Sequence, residues 1–194
     1  MDLGCSVNTE DFLKVVETQN EPVGGPYIAL SHCWGEASIS KLTRANLDTY
    51  KQNLDMDELP KTFIDASAVA RYLKIRCLWI DSLAIIQDRA EDWAREASTM
   101  DRVYQNAFCN IGATAAHDSH EGLFYKRTPG LLLPQRVIIS DRDFQMEWMA
   151  DWHHTGKVRP LLQRGWIVQE QWMCQRMIHF GPEQVFWECV TTIR

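Results

Sequence analysis

Among the 194 residues there is no apolar run approaching the roughly 18 to 20 that span a bilayer, so no membrane partner is expected. The opening MDLGCSVNTEDFLK lacks the basic-then-apolar order of a signal peptide, which predicts a cytoplasmic location. No stretch is rich in Lys and Arg, and the net charge is -6, so a nucleic acid is not an expected partner either. The six cysteines include no C-x-x-C pair, and a chain of this size needs no disulfide framework. They are expected to be reduced and mostly buried. His117-x-x-His120 and His153-His154 have no second ligand pair of matching spacing, so no metal is expected. Internal repeats and low-complexity stretches are also missing. With 45% apolar and 24% charged residues, the composition is that of one ordinary globular domain. What is abundant is tryptophan. Eight of them run from Trp34 to Trp187, and such large flat side chains are expected to line one core.

The segment 1–26 closes on Glu21-Pro-Val-Gly-Gly-Pro26 and reads as an N-terminal arm. From Tyr27 to Cys33 the chain is apolar without alternation, the pattern of a strand covered on both faces. Thr62 with Asp65 three residues on approximates a capping box, and Phe63, Ala66, Val69, Ala70 and Leu73 then share a helix face. Cys77–Ile80 is a second buried strand. Trp93, Ala97, Met100 and Tyr104 form an apolar stripe that predicts one helix over 91–105, and 108–113 is a third strand. This βαβ rhythm predicts an α/β fold, a mostly parallel sheet flanked by helices, with sites gathered beyond the carboxyl ends of the strands. Residues 27–122 form that core. Residues 123–160, with two short strands at 136–140 and 144–149, read as an insertion. Residues 161–194 read as a C-terminal helix and β-hairpin extension.

Three blocks carry a resemblance: Tyr27-Ile-Ala-Leu-Ser-His-Cys-Trp-Gly35, then Leu59-Pro-Lys-Thr62 through Leu78-Trp-Ile-Asp-Ser-Leu-Ala-Ile-Ile-Gln-Asp88 with 92–97, and Arg164-Gly-Trp-Ile-Val-Gln-Glu170. Together they resemble the fungal heterokaryon incompatibility (HET) domain over about Tyr27 to Cys189. Ala84 departs from the pattern, because many members carry cysteine there. The resemblance implies a module of fungal non-self recognition whose activation leads to cell death. It usually acts with an upstream recognition protein or with other domains of a longer chain. Tyr27-x-x-Leu-Ser-x-x-x-Gly35-Glu36 and Trp93-x-x-Glu96 are in turn similar to TIR domains. That likeness implies a TIR or flavodoxin-like sheet and cleavage of NAD as substrate, with no cofactor and a helix glutamate as the catalytic group.

On these grounds Glu96 is the candidate catalytic carboxylate, preferred to Glu170. It lies at the rim of the Trp93 stripe, one turn from Asp92, where like charges repel. Ser31, His32, Trp34 and Gly35 follow the first strand, and Gly35 admits close backbone approach to a ligand. Asp81 and Ser82 end the second strand, where Asp81 suits a ligand hydroxyl or a cap on the following turn. Trp93 and Arg164 complete the substrate-binding set. Arg164 either clamps a phosphate or forms an internal ion pair. Trp166 is expected to be a buried wall. Adjacent His32 and Cys33 point to opposite faces of a strand, which disfavours a hydrolase built on Cys33. Two functions remain. An enzyme predicts Glu96, Ser31 and Asp81 converging in one cleft. A non-enzymatic self-association module predicts exposed apolar patches on helix faces.

Overall fold

The computed structural model describes residues 1–3, 13–18, 24–35, 39–128, 135–139, 142–146, 159–190 and 192–193. Strand β1 (Tyr27–Ser31) lies between β2 (Cys77–Ile80) and β3 (Cys109–Gly112), parallel to both. Next to β3, and parallel to it, runs β6 (Arg176–Phe180). Antiparallel β7 (Val185–Cys189) and β8 (Thr192–Ile193) then complete one six-stranded sheet, in the order β2-β1-β3-β6-β7-β8. The expected α/β architecture is therefore present, and the C-terminal hairpin β6–β7 extends the sheet itself. Strands β4 (Gln135–Ile139) and β5 (Arg142–Met146) pair separately as an antiparallel ribbon.

Strand alternation divides the core between two faces. Ile28 and Leu30 of β1 pack with Phe63, Ala66 and Ala70 of helix α2 (Lys61–Tyr72); α1 is the short helix Leu47–Gln52. Ala29 packs on the other face with Tyr104. A chain that moves from β1 to β2 and then back across β1 to β3 places its crossovers on opposite faces. The carboxyl ends of β1 and β3 flank the resulting crevice. After β2 come the single turn α3 (Asp81–Ala84), α4 (Ala90–Ala97) and α5 (Met100–Asn106); α6 (Ile167–Met173) precedes β6. None of these helices is long and apolar enough to cross a membrane, among the described residues.

Three local expectations are corrected. The stripe from Trp93 to Tyr104 is two helices, because the Ser98 hydroxyl donates to the Arg95 carbonyl at 2.6 Å and that of Thr99 to the Glu96 carbonyl at 3.1 Å. Side-chain hydroxyls that take up carbonyls in this way offer the backbone an alternative to another helical turn. Thr62 and Asp65 form no capping box. Helix α2 starts at Lys61, and the two side chains instead accept from the backbone N–H groups of Gly122 and Leu123, at 3.1 and 2.7 Å. The tryptophans do not line the core: Trp34 and Trp79 are half-buried, and Trp93, Trp166, Trp172 and Trp187 are exposed. Trp148 and Trp152 lie outside the described residues, as do Glu36 and the His153-His154 doublet. Of the five described cysteines, all free thiols, only Cys33 and Cys109 are buried.

Candidate functional site

Beyond the carboxyl ends of β1 and β2 the chain brings together residues far apart in sequence. Ser31 shares the face of Ala29, so its hydroxyl lies under α5 and α6, where it accepts a hydrogen bond from Asn110 Nδ2 at 2.9 Å. The Tyr104 hydroxyl and the Glu170 carboxylate adjoin the same Ser31 hydroxyl. His32 shares the face of Ile28 and Leu30, and its ring meets Phe63 edge-on at 5.0 Å. Adjacent residues therefore serve opposite faces, as the alternation requires. That geometry also separates the Cys33 thiol from the His32 ring. Burial pushes the Cys33 thiol up, away from the reactive thiolate.

Asp81, where β2 passes into α3, is fully engaged. Its Oδ1 accepts from the Ser82 backbone N–H at 2.7 Å, which makes the turn, and its Oδ2 accepts from Trp34 Nε1 at 2.9 Å. The His32 ring stands 3.9 Å from Asp81 Oδ1. Burial lowers the His32 pKa against the opposing pull of Asp81, with Arg164 adding to the fall and the Leu30 carbonyl opposing it. Lys41 lies over the Trp34 ring at 5.0 Å. Arg164 spans the crest between the two faces. Its guanidinium donates to the His32 carbonyl oxygen and lies 3.9 Å from Glu170 Oε1. The internal ion pair, one of the two roles open to this arginine, is thus present.

Glu170 is 3% exposed. Burial raises its carboxyl pKa first, Asp81 adds to the rise, and Ser31 and Arg164 pull it back. One of its oxygens, Oε2, has no hydrogen-bond partner among the described residues, and neither does Asn110 Oδ1.

Glu96 stands elsewhere. It lines a cavity of about 510 Å³ along the outer edge of β2, with Trp79, Ala84, Arg89 and Asp92 among the other walls. Arg95 bonds to both Asp92 and Glu96. The two carboxylates thus share a cation instead of facing each other bare. Asp92 is buried and also accepts from the Ile86 N–H at 2.9 Å, which ties the start of α4 to the loop before it. Trp93 is half exposed and is not part of the cavity wall. Ala84, the position where the HET resemblance leads one to expect cysteine, faces the cavity.

Gly35 has φ +72°, and a Cβ there would stand 2.3 Å from Asp118 Cβ, so the space above this glycine is filled by the protein. Trp166 is 54% exposed, which overturns the buried wall. The sequence reading missed the polar groups buried under the sheet. Asn110 and Tyr104 complete the Ser31–Glu170 cluster. On β6, His179 Nδ1 lies 3.2 Å from Thr114 Oγ1, and its Nε2 lies 2.8 Å from Glu188 Oε2. A lone polar residue inside an apolar strand, Asn110 in Cys-Asn-Ile-Gly or His179 in Met-Ile-His-Phe, was the available signal.

In comparison with known families, the family model described as heterokaryon incompatibility protein (HET) aligns with residues 27–170. No curated protein and no solved structure matches the chain significantly.

Proposed function

The chain belongs to the heterokaryon incompatibility protein (HET) family, and from that premise we propose that it is a cell-death effector domain of fungal non-self recognition that acts by cleaving NAD to nicotinamide and ADP-ribose products. One observation carries the reading: Ser31, His32, Trp34, Asp81, Ser82 and Arg164, drawn from all three separated motifs, meet at the carboxyl ends of β1 and β2. Ligands of open α/β sheets bind at such a point. Packing alone does not require three distant motifs to spend their polar residues in one place.

The chemistry asks little of the protein beyond fixed charge. As nicotinamide departs with the electron pair of its glycosidic bond, positive charge develops on the ribose, a held carboxylate stabilises it, and water then bonds to the anomeric carbon and releases a proton to give ADP-ribose. Glu96, at the cavity wall, is the carboxylate we assign to this role, and Glu170, at the carboxyl ends of the strands, is the alternative. The test is nicotinamide release from NAD by the purified protein, followed by chromatography across a wide range of protein concentration. Turnover is expected, and its rise per chain with concentration would mark a site gated by self-association. Absence of nicotinamide at every concentration refutes the enzyme.

A second reading, a self-association module without catalysis, is favoured by a different observation. Val168, Trp172 and Met173 of α6 and the adjoining Trp166 are all exposed. Light scattering that shows assembly in a protein releasing no nicotinamide selects it.

A further inference from the structure

We propose that the cluster under the carboxyl ends of β1 and β3, built from Ser31, Tyr104, Asn110, Arg164 and Glu170, is a ligand site separate from the cavity at the β2 edge, and that it takes the hydroxyls of a pentose, with Glu170 as the carboxylate that holds them. The choice of a pentose rests on the NAD reading above. The existence of the site does not.

The hydrogen-bond ledger under the sheet points to it. Asn110 is completely buried, and its Nδ2 is engaged by the Ser31 hydroxyl at 2.9 Å and by Met177 Sδ at 3.8 Å. Its Oδ1 accepts nothing from the described residues, and Glu170 Oε2 also accepts nothing. Buried polar atoms are almost always paired, because an acceptor stripped of water and left alone is costly. Two such acceptors in one cluster, on side chains joined through Ser31, form a place for two donors. Among the described residues nothing supplies them. A vicinal diol presents two O–H donors side by side, and a carboxylate is the group that accepts a pair of them.

Charge and access agree. Among the described residues Glu170 pairs with one cation, Arg164, whose side chain is 25% exposed while that of Glu170 is 3% exposed. The guanidinium therefore forms the outer end of the cluster and the carboxylate the inner end. A pentose phosphate fits that order, with its hydroxyls on Glu170 and its phosphate toward Arg164. Asp81 also lies within electrostatic reach of both Tyr104 and Glu170. Trp34, which donates to Asp81, is consequently coupled to the cluster; Trp79 meets Tyr104 edge-on at 5.6 Å and is also a wall of the other cavity, so its indole reports on both places.

The two indoles make the test independent of catalysis. ADP-ribose is titrated into protein labelled with 15N at tryptophan, with the Trp34 and Trp79 N–H resonances assigned by single Phe substitutions; ribose 5-phosphate, inorganic phosphate and nicotinamide are titrated in parallel. ADP-ribose and ribose 5-phosphate are expected to move the Trp34 resonance, whether or not that of Trp79 moves with it. Glu170→Gln keeps the shape of the buried group and should weaken binding at least about tenfold, the loss of one charge-assisted acceptor, while Glu91→Gln, at an exposed carboxylate outside both places, binds as the parent does. Movement of Trp79 alone, equal affinity in Glu170→Gln, response to nicotinamide but not to ribose 5-phosphate, or no binding at millimolar ligand each overturns the proposal. Should Glu170→Gln fail to fold, the indole pattern of the unsubstituted protein decides by itself. Binding with no NAD turnover would refute the enzyme and leave this site standing.

Discussion

Substituting Gly35 tests whether the loop after β1 is rigid enough to present a site. Gly35 has φ +72°, a left-handed conformation that costs a residue with a Cβ about 1 to 2 kcal/mol. The added methyl would also stand 2.3 Å from Asp118 Cβ and 3.2 Å from Asp118 Cα. Asp118 has little room to retreat. Its Oδ1 accepts from the His120 N–H at 2.7 Å, and the Ser119 hydroxyl next to it donates to the Cys33 carbonyl at 3.1 Å. Forcing a methyl into a packed place costs about 1 to 3 kcal/mol, so Gly35→Ala should lose about 2 to 5 kcal/mol in all. For a domain of this size that is a fall of roughly 4 to 20 °C in melting temperature. Two other glycines separate the causes. Gly25 has φ +114° with nothing within 4 Å of its Cβ position, so Gly25→Ala carries the strain alone and should lose only about 1 to 2 kcal/mol. Gly24 has neither strain nor a close neighbour, and its alanine should be neutral or stabilising by about 0.4 to 1 kcal/mol. Urea titration of the three variants gives the order directly. If Gly35→Ala unfolds at the same urea concentration as Gly25→Ala, Asp118 yields freely and the rigid-loop reasoning fails.

Trp166→Ala should change stability by less than about 1 kcal/mol, because an exposed ring forfeits little on truncation, whereas a fully buried one costs about 3 to 5 kcal/mol; a large drop in melting temperature would show that something covers it. The folded chain holds the Glu170 proton more tightly than the unfolded chain, so this group's contribution is lost as pH rises from the ordinary carboxyl value of 4.5 through the raised one, and Glu170→Gln should remove that loss. His32 works in the opposite sense: its contribution is present above 6.5 and is lost as pH falls, so the acid-side decline should steepen in Glu170→Gln and flatten in His32→Gln. Unfolding free energies between pH 4 and 8 that superimpose for all three proteins would dispose of both assignments.

The sheet was legible because its inner strands are mostly apolar, and the order of strands and helices then leaves few ways to connect them. The face of a side chain was legible too: Ser31 and His32 part company as period-two alternation requires. What covers a face was not. Trp93 shares a helical spacing with Ala97, Met100 and Tyr104, and Trp166 precedes Ile167 and Val168, and only the fold reveals that no described element lies over them. Asp92 and Glu96, read as mutually repelling, share Arg95, a resolution that depends on one rotamer. Preferring Glu96 over Glu170 drew on a motif-level likeness. The pairing of Glu170 with Ser31 and Arg164 depends on how α6 docks, and no local pattern encodes that.

Arg164 donates to the carbonyl of His32, a residue 132 positions earlier. On a ribosome adding about 5 to 20 residues per second, His32 emerges roughly 7 to 26 seconds before the arginine that closes its end of the crevice. Through that interval β1, β2 and β3 can already pair, but the crest above them lacks its cation and Glu170 does not yet exist. Whatever the finished crevice does, it begins only when the segment carrying Arg164 and Glu170 has docked, so its onset is timed by the synthesis and folding of that segment and not by the early core.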